Sequence, residues 1–379
     1  MQKLAVIFES SPFDRKGLFN AVHERVRHLL KAGGCTIDAY CIHSWDTAFT
    51  RKMRHTPEVP REEFVEIDGI KYNIIWYDFS IIDHVTVEIL HHRPLFFNRF
   101  IDRNLHILDG YDAVLAHSFT GGLFAMEASK RSGVPYFMTW HGSDIHTHPW
   151  RNPLVLKYTR MIMEGASYNF FVSEALMKTS DKLCTGVPKE VLYNGVAPGF
   201  YSFKNRDKEK KVVAFVGSLV TVKNVGALQP IFHEVRRMYE GPLEFWVVGD
   251  GKLRHIVEPA LMSDDSIKVV MWGNLPASDM PDMMNDIDVL VLPSHNEGLP
   301  LVCAEAIRCG ACAIGADVGG VAEVVGKDYV VPHGDDFVAS MASKVVSVLE
   351  NGCVQTVPAH LDWTVTAERE MSFIKGLSS

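Results

Sequence analysis

The chain has 379 residues, more than a typical single hydrophobic core holds, so two domains are expected. With 47% hydrophobic and 22% charged residues it has the composition of a globular protein, which excludes a disordered or fibrous chain. The formal net charge of −8 argues against general nucleic-acid binding, and no apolar run approaches the roughly 18 residues of a membrane-spanning helix.

Alternating strands and helices begin at the amino terminus and predict an α/β protein with parallel sheets. The apolar run Leu4–Phe8 is interpreted as the first strand, because Glu9 follows too soon for a signal peptide. A helix over Leu18–Ala32 follows. Phe64–Phe79 departs from the pattern as a hairpin with an Asp-Gly turn. The first region ends with a short strand at Glu190–Tyr193.

The charged stretch Lys204–Lys211 is interpreted as a solvated linker, after which the strand and helix pattern restarts. Strands are then expected at Val212–Val216, Phe245–Val248, Ile267–Met271, Ile287–Leu292 and Ala311–Ile314. A helix at Phe337–Leu349 precedes a final polar helix near Trp363. We assign residues 1–203 to one Rossmann-like domain, 204–356 to a second, and 357–379 to a helix returning to the first.

Residues 297–305 (EGLPLVCAE) begin and end with a glutamate and follow a predicted buried strand. Pro300 suits the first turn of the next helix, where its missing N–H costs nothing. The N–H groups of Leu301 and Val302 at that helix start can hold a phosphate. The second glutamate can reach ribose hydroxyls and the first can reach a sugar. The alternative is a capping carboxylate and a surface helix glutamate.

Two patterns resemble metal sites but are interpreted as structural. Cys309 and Cys312 have the spacing of half a zinc site, without a second Cys or His pair at matching distance. Asp286 and Asp288 resemble paired aspartates that hold a metal on some sugar nucleotides, but they lie where a helix gives way to a strand. Seven scattered cysteines fit the reduced thiols of a cytoplasmic protein. No metal and no cofactor are expected.

Short motifs recur at the carboxyl ends of successive predicted strands. They are Thr139-Trp-His-Gly-Ser-Asp144, Val172-Ser-Glu174, Asn194-Gly-Val196, Phe215-Val-Gly-Ser-Leu219, Lys223, Val248-Gly-Asp-Gly251, Gly273-Asn-Leu275, the 297–305 segment and Val318-Gly-Gly320. In this order and at these intervals, the chain resembles a retaining glycosyltransferase of family 4 over nearly its whole length. The resemblance implies the GT-B architecture, in which two Rossmann-like domains face each other across a cleft.

The resemblance also implies how substrates bind. A nucleotide-diphosphate sugar would lie in the cleft, held mainly by the second domain, with the acceptor held mainly by the first. Glu297 would contact the sugar ring, Lys223 the diphosphate, and His141 the sugar pocket, and these three are the predicted catalytic residues. The other implied substrate-binding residues are Gly17, Asp144, Asn194, Ser218, Gly273, Leu275, Gly298, Leu299, Pro300, Leu301 and Glu305.

Simpler roles exist for several of these residues. His141 fits a core histidine bonded to backbone, and Lys223 fits a solvated lysine at a helix start. Gly17 fits an ordinary loop glycine. Asn194 fits a residue that only shapes a turn beside the cleft.

One position departs from the family pattern. The family often has Arg where this chain has Ser218, five residues before Lys223, so one cation for the diphosphate is missing. A hydroxyl donates a hydrogen bond but carries no charge, and charge-assisted bonds are roughly twice as strong. We expect either weaker activity or a basic residue elsewhere, such as Arg15 or Lys16, that supplies the missing positive charge.

Three functions remain open on the sequence. The first is a transferase that moves a hexose or N-acetylhexosamine from a nucleotide-diphosphate sugar to a glycan or lipid-linked glycan in bacterial polysaccharide biosynthesis, with a UDP-sugar as the expected donor. The second is a hydrolysing sugar-nucleotide epimerase of the same architecture. The third is a catalytically weak sugar-nucleotide-binding subunit, for which Ser218 is the only motive. Thr139-Trp-His-Gly-Ser-Asp144 favours the first function over the second.

Basic residues also predict a membrane contact at the cytoplasmic face. Five basic residues surround the first helix and are opposed only by Glu24; they are Arg15, Lys16, Arg25, Arg27 and Lys31. The segment His91–Phe100 mixes cations with aromatic residues. We expect these segments to dock the first domain on an anionic membrane surface. The alternative is a solvated basic helix face.

Overall fold

The computed structural model describes residues 1–13, 17–46, 48–54, 58–86, 97–203, 209–258 and 267–376. The chain divides into two units. Unit 1 consists of Met1–Asn194 together with the segment from Trp363 onward, and unit 2 consists of Gly195–Asp362.

The observed boundaries between the units differ from the expected ones. Residues 195–203 and 357–362 belong to unit 2, whereas the sequence assigned them to the first domain and to the returning helix. Val196 N–H donates to Leu361 O at 3.2 Å, which pairs the two segments. Arg308 Nη1, in the middle of unit 2, donates to Val196 O at 3.3 Å. These bonds fasten both flanking segments to unit 2.

Unit 1 is built on a twisted parallel sheet. Its strands are β1 Gln2–Glu9, β2 Cys35–Asp46, β3 Phe64–Ile67, β4 Ile70–Phe79, β5 Ala113–His117, β6 Tyr136–Trp140, β7 Tyr168–Phe171 and β8 Lys189–Val191. Within the described residues, the sheet has the order β3-β4-β2-β1-β5-β6-β7-β8. Every neighbouring pair is parallel except β3 with β4.

The antiparallel pair confirms the predicted hairpin. Asp68 and Gly69 form the turn with φ angles of 51° and 76°. Positive φ at both central residues is the signature of the turn that matches the twist of two-residue hairpins.

The helices of unit 1 include the predicted Leu18–Ala32 with the expected bounds. They are α1 Leu18–Ala32, α2 Ala48–Arg54, α3 Ile81–His84, α4 Phe97–Asn104, α5 Ser118–Ser132, α6 Ser143–His146, α7 His148–Arg151, α8 Pro153–Gly165 and α9 Glu174–Ser180. On α1 the buried apolar residues Phe19, Val22, Val26 and Leu29 face the sheet, following the helical repeat.

The last helix, α15 (Trp363–Gly376), completes the core of unit 1. Its buried residues Ala367, Met371 and Ile374 join the same hydrophobic cluster as the apolar residues of β1 and α1. Arg25 Nε of α1 lies 2.6 Å from Glu370 Oε2 of α15, and both side chains are 1% exposed. The helix therefore returns to the first domain, as expected.

This packing corrects the expected basic surface of α1. Arg25 is buried and paired with Glu370, so it is not part of an exposed face. Arg27 Nη1 is paired with Glu24 Oε1 at 2.8 Å. In the predicted aromatic segment, residues 91–96 lie outside the described residues, and Phe97 is buried.

Unit 2 contains a second parallel sheet. Its strands are β9 Lys211–Val216, β10 Leu243–Val248, β11 Val269–Gly273, β12 Val289–Leu292, β13 Cys312–Ala316 and β14 Val330–Val331. Across the part of the chain that the structure describes, they run in the order β11-β10-β9-β12-β13-β14 and every pair is parallel. Of the predicted linker, residues 204–208 lie outside the described residues.

The helices of unit 2 cover both faces of its sheet. They are α10 Leu228–Met238, α11 Met280–Asp286, α12 Leu301–Arg308, α13 Val321–Val325 and α14 Phe337–Asn351. All four residues of β12 are buried, as expected for a strand covered on both sides. The α/β class with two parallel sheets is thus confirmed.

Candidate functional site

The loops that follow the strands of unit 2 are joined to one another at the carboxyl edge of the sheet. Gly217 N–H, after β9, donates to Val248 O at 2.9 Å, and Gly249 N–H, after β10, donates to Gly273 O at 2.8 Å. A Cβ atom at Gly249 would lie 2.1 Å from Gly217 O, so only glycine permits this approach. Parallel sheets bind ligands at this edge.

An ion pair joins the two predicted catalytic residues of unit 2. Lys223 Nζ lies 2.7 Å from Glu297 Oε1, and the side chains are 21% and 10% exposed. Ser294 Oγ donates to the same oxygen at 2.6 Å. His295 N–H donates to Val222 O at 2.8 Å, which ties the Lys223 loop to the loop after β12. The sequence did not single out Ser294, because it contributes only through this fold-dependent contact.

A glycine after β13 fixes the backbone of the Glu297 loop. Gly319 has φ +50°, and a Cβ atom there would lie 1.8 Å from Glu297 O. Any other residue would collide with that carbonyl or push the loop away. The Val318-Gly-Gly320 motif therefore has a physical role, since it lets the two loops touch.

The Glu305 carboxyl group lies on the first turns of α12 among apolar surroundings. Part of the side chain reaches the surface, yet burial raises its pKa to about 7. Within the described residues, no hydrogen bond or ion pair compensates this carboxyl group. A desolvated carboxylate without a partner is costly, so it is well suited to accept hydrogen bonds from a ligand's hydroxyls.

The start of α12 differs from the expectation. Pro300, with φ −80° and ψ 83°, lies just outside the helix and not in its first turn. These angles are close to an inverse γ-turn, in which Leu301 N–H donates to Leu299 O at 3.0 Å. The Leu301 N–H is therefore not unpaired, because a neighbouring carbonyl accepts from it, and its contact with a phosphate stays a prediction. Gly298 lies beside Glu297 in the same loop.

The predicted base contacts lie at the end of β11. Gly273 has φ +66°, and a Cβ atom there would lie 3.8 Å from Arg254 Nη1. Leu275, two residues further on, is partly exposed. Arg254 is a cation that the sequence did not single out, because only the fold brings the loop after β10 beside Gly273.

Arg254 also bears on the cation missing at Ser218. Ser218 is exposed after β9, and Arg15 and Lys16, the suggested replacements, lie outside the described residues. Arg254 Nη1 lies 3.2 Å from Asp250 Oδ2 and is 44% exposed. It is a basic side chain at the same edge of this sheet.

In unit 1 the predicted glycine precedes α1. Gly17 has φ 35° and ψ −95°, and its carbonyl accepts from Ala21 N–H at 3.1 Å. Among the described residues beyond its chain neighbours, no atom lies within 4 Å of a Cβ atom placed there. Its backbone angles, not crowding, are therefore what favours glycine.

Asp144 shapes the loop that carries His141. Its Oδ1 accepts from Gly142 N–H at 2.9 Å, and both carboxylate oxygens lie 3.3 Å from His141 N. Burial raises the pKa of Asp144, and these backbone hydrogen bonds oppose that rise. The carboxylate thus faces the backbone of the loop.

The side chain of His141 contacts a second histidine. His117 Nδ1, at the end of β5, lies 3.0 Å from His141 Nε2, after β6. Burial is the main cause that lowers the pKa of His141 to about 3 and holds the pKa of His117 well below its usual range, with the Arg25 charge adding to both. Both rings are therefore neutral. His117 was not among the predicted residues, because only strand pairing places it beside His141.

Asn194 is buried at the last position of unit 1. Its Oδ1 atom has no hydrogen-bond partner among the described residues. A buried amide oxygen without a donor is uncommon, which marks this position as more than a turn former.

Metal and membrane features were also searched in the structure. Within residues 1–376, apart from the undescribed gaps, no group of three or more His, Cys, Asp or Glu is arranged to hold a metal ion. None of the helices in the described ranges is long and apolar enough to cross a bilayer. Asp288, in the suggested aspartate pair, accepts from Val212 N–H at 2.8 Å, which is a structural contact.

Two family profiles match the chain. Residues 16–200 match the profile described as Glycosyltransferase Family 4, and residues 210–351 match the profile described as Glycosyl transferases group 1. The first match covers most of unit 1 and the first residues of unit 2, and the second lies within unit 2. Together they include the Lys223–Glu297 ion pair and the His117–His141 pair.

A bacterial relative was found by sequence. The glycosyltransferase TuaC of Bacillus subtilis, provisionally named for teichuronic acid biosynthesis, is 28% identical over 228 residues, which cover 57% of this chain. The aligned segment spans 56% of the TuaC chain, so the likeness covers little more than half of that relative.

Solved structures show the same fold over the whole chain. Sucrose-phosphate synthase from Thermosynechococcus elongatus superposes with a TM-score of 0.75 at 15% identity, covering 100% of this chain and 99% of the other. Anabaena Alr3699/HepE, solved with UDP and glucose, has a TM-score of 0.67 at 14% identity, covering 100% and 98%. At these identities the likeness shows the GT-B fold alone.

Proposed function

Because the chain belongs to glycosyltransferase family 4, we propose that it transfers a hexose or N-acetylhexosamine from a UDP-sugar to a glycan or lipid-linked glycan. Action on a nucleotide sugar follows from the family. The retaining mechanism, the uridine base and the polysaccharide acceptor are our proposal.

The observation that carries the proposal is the set of charges at the carboxyl edge of unit 2. Glu305 is desolvated and has no partner among the described residues, while Lys223 and Glu297 form a partly buried ion pair. Ribose hydroxyls are donors that suit Glu305, and a diphosphate is an anion that suits Lys223. We propose that one donor molecule contacts all three residues.

The chemistry of transfer fits these residues. Departure of the diphosphate adds negative charge to its oxygens and oxocarbenium character to the sugar, so a fixed cation and a nearby carboxylate favour the transition state. We propose that Lys223 neutralises the leaving diphosphate and that Glu297 faces the sugar ring. In front-face attack, which retains the anomeric configuration, a leaving phosphate oxygen accepts the proton of the acceptor. No metal is included in this proposal.

The choice of donor and acceptor rests on relatives. HepE was solved with UDP and glucose, which makes UDP-sugars the first donors to test. TuaC is named for teichuronic acid biosynthesis, which makes a growing glycan the first acceptor to test.

A donor panel separates the open functions. We expect nucleotide release from one UDP-sugar to rise when a glycan acceptor is added. Release without any acceptor, with a new free sugar as product, would indicate an epimerase. Binding without turnover of any donor would indicate a weak binding subunit, for which Ser218 is the motive.

A thermal-shift screen against UDP-, GDP- and ADP-sugars identifies the base. A ligand at 100 times its Kd stabilises the protein that binds it by about 2.7 kcal/mol. We expect UDP-sugars to give the largest shift.

We also propose that the enzyme works in the cytoplasm, with unit 1 at the inner face of the membrane. Because Arg25 is buried, the predicted basic surface of α1 is reduced to Arg27 and Lys31, and Arg27 forms an ion pair with Glu24. Sedimentation with anionic liposomes at low salt should exceed that with neutral liposomes. Equal sedimentation with anionic and neutral liposomes would contradict the proposed membrane contact.

A further inference from the structure

The histidine pair of unit 1 places a second ring directly behind a predicted catalytic residue. His117 ends β5 and His141 follows β6, and these strands pair in parallel with His117 opposite Thr139. The ring nitrogens His117 Nδ1 and His141 Nε2 lie 3.0 Å apart. His117 is 1% exposed, so its side chain does not reach solvent or a substrate.

Two neutral imidazoles can share this contact in only two ways. Either His117 Nδ1–H donates to a bare His141 Nε2, or His141 Nε2–H donates to a bare His117 Nδ1. In the first case His141 carries its proton on Nδ1, and in the second it presents a bare Nδ1. The direction of one buried hydrogen bond therefore decides whether His141 offers substrate a donor or an acceptor.

We propose that His117 is a positioning residue whose hydrogen bond with His141 Nε2 holds His141 in one tautomer and presents its Nδ1 atom to a hydroxyl group of the sugar. This inference rests on the proposed transferase function, since it assigns the state of one residue of that site.

The tautomer is measured on the full-length protein with ¹⁵N-labelled histidine. Long-range ¹H–¹⁵N spectra distinguish a protonated from a bare ring nitrogen, and His141→Gln and His117→Asn assign the two signals. We expect a single tautomer of His141 in the wild type between pH 6 and pH 8, and a mixture of both tautomers in His117→Leu. A mixture in the wild type, or the same single tautomer in His117→Leu, would overturn the proposal whether or not any transfer activity has been found.

Kinetics test whether the hydrogen bond matters for transfer. His117→Leu keeps apolar packing but removes the hydrogen bond, and we expect kcat to fall on the order of 10- to 100-fold through misplacement of His141. His117→Asn puts an amide group, which can donate or accept, near the position of Nδ1 and should recover most of that loss. Full activity in His117→Leu, or equal loss in both variants, would contradict the role of His117.

Two controls separate this inference from the proposed function. Stabilisation by free UDP should be unchanged in His117→Leu, since the nucleotide contacts are proposed for unit 2. His28→Leu removes a half-buried ring elsewhere in unit 1 and should leave kcat unchanged. If the wild type transfers no sugar from any donor, the function fails, while the spectrum still decides the tautomer.

Discussion

The Glu305 carboxyl group is proposed to bind the nucleotide, but in its charged form it lowers the stability of the folded protein. An unfolded glutamate has a pKa of about 4.3, and burial raises the pKa of Glu305 to about 7 in the folded protein. The folded state therefore holds this proton more tightly than the unfolded state. The contribution of Glu305 to stability is most favourable below about pH 4 and declines as the pH rises to about 7.

We expect Glu305→Gln to raise the unfolding temperature at pH 8, where the wild-type carboxylate is charged, and to change it little at pH 4. The same substitution should weaken binding of both UDP-sugar and free UDP by about 1.5–3 kcal/mol, the value of a hydrogen bond to a charged group. Calorimetric unfolding and nucleotide titration measure the two effects. Lower stability at pH 8 would show that Glu305 has a stabilising protein partner after all.

Glu297 should behave differently, because its proposed contact is the sugar. We expect Glu297→Gln to bind free UDP normally and to lower kcat by roughly 10²- to 10³-fold, as for loss of one preorganised electrostatic group. Steady-state kinetics beside nucleotide titration provide the comparison, and Glu350→Gln on the exposed face of α14 is the matched control. Normal turnover in both site variants, with normal nucleotide binding, would show that the two glutamates are structural.

Sequence patterns located these two glutamates but not their neighbours. Both glutamates stand in one local segment, so spacing alone brings them to one strand-to-helix loop. Arg254 and His117 contribute through contacts between different loops or strands, which spacing does not show. Ser294 stands three residues before Glu297, and its contact depends on how their shared loop is folded. The turn that engages the Leu301 N–H has a similar origin, because it depends on the ψ angle of Pro300, which a residue name does not specify.

At the level of helices, α1 and α15 are joined by a buried ion pair between Arg25 and Glu370. Arg25 Nη1 and Nη2 and Glu370 Oε1 have no hydrogen-bond partner among the described residues. Buried ion pairs of this kind gain little over apolar side chains of similar size, because both charges lose their hydration. The pair is therefore expected to stabilise the docking of α15 only as long as both members are present.

We expect Arg25→Met to lower the free energy of unfolding by about 3–5 kcal/mol, since it leaves Glu370 charged and buried. The double variant Arg25→Met with Glu370→Leu should recover most of this loss. Urea unfolding of the single and double variants, with Arg27→Met as the exposed control, measures the coupling. Additive losses in the double variant would mean that the two side chains act independently.

The sequence predicted helices and turns correctly where local periodicity determines them. It failed for features that depend on contacts between residues far apart in the chain. The bounds of α1 and the hairpin turn follow from local patterns of apolar residues and glycine. Arg25 looked like an exposed base because its partner stands 345 positions away in the chain. The unit boundary near residue 195 was misplaced for the same reason, since Val196 donates to Leu361 O and accepts from Arg308, both distant in the chain.

On the scale of the whole molecule, unit 1 is discontinuous in sequence. Trp363 and the core residues Ala367, Met371 and Ile374 of α15 are buried in unit 1, although they follow all of unit 2 in the chain. We expect a chain that stops at Asp362 to lose the cooperative unfolding transition of unit 1. The transition that UDP stabilises should persist, because unit 2 keeps every residue assigned to the nucleotide.

Differential scanning calorimetry of the full and shortened chains, with and without UDP, tests this division. The control is a chain that stops after Gly376 and so keeps α15. Loss of the UDP-stabilised transition on removal of α15 would show that the two units do not fold separately.

The late position of α15 also sets an order of events during protein synthesis. Ribosomes add about 5–20 residues per second, and domains usually fold from the amino terminus onward. Unit 1 begins first, yet its core lacks α15 until residues 363–376 have left the ribosome, on the order of ten seconds or more after Asn194 is made. Unit 2, uninterrupted in sequence, can therefore finish folding while unit 1 still exposes the apolar face of α1. Nascent unit 1 thus has a period in which chaperones can bind its exposed apolar surface, and a prematurely ended chain keeps that surface exposed to proteases.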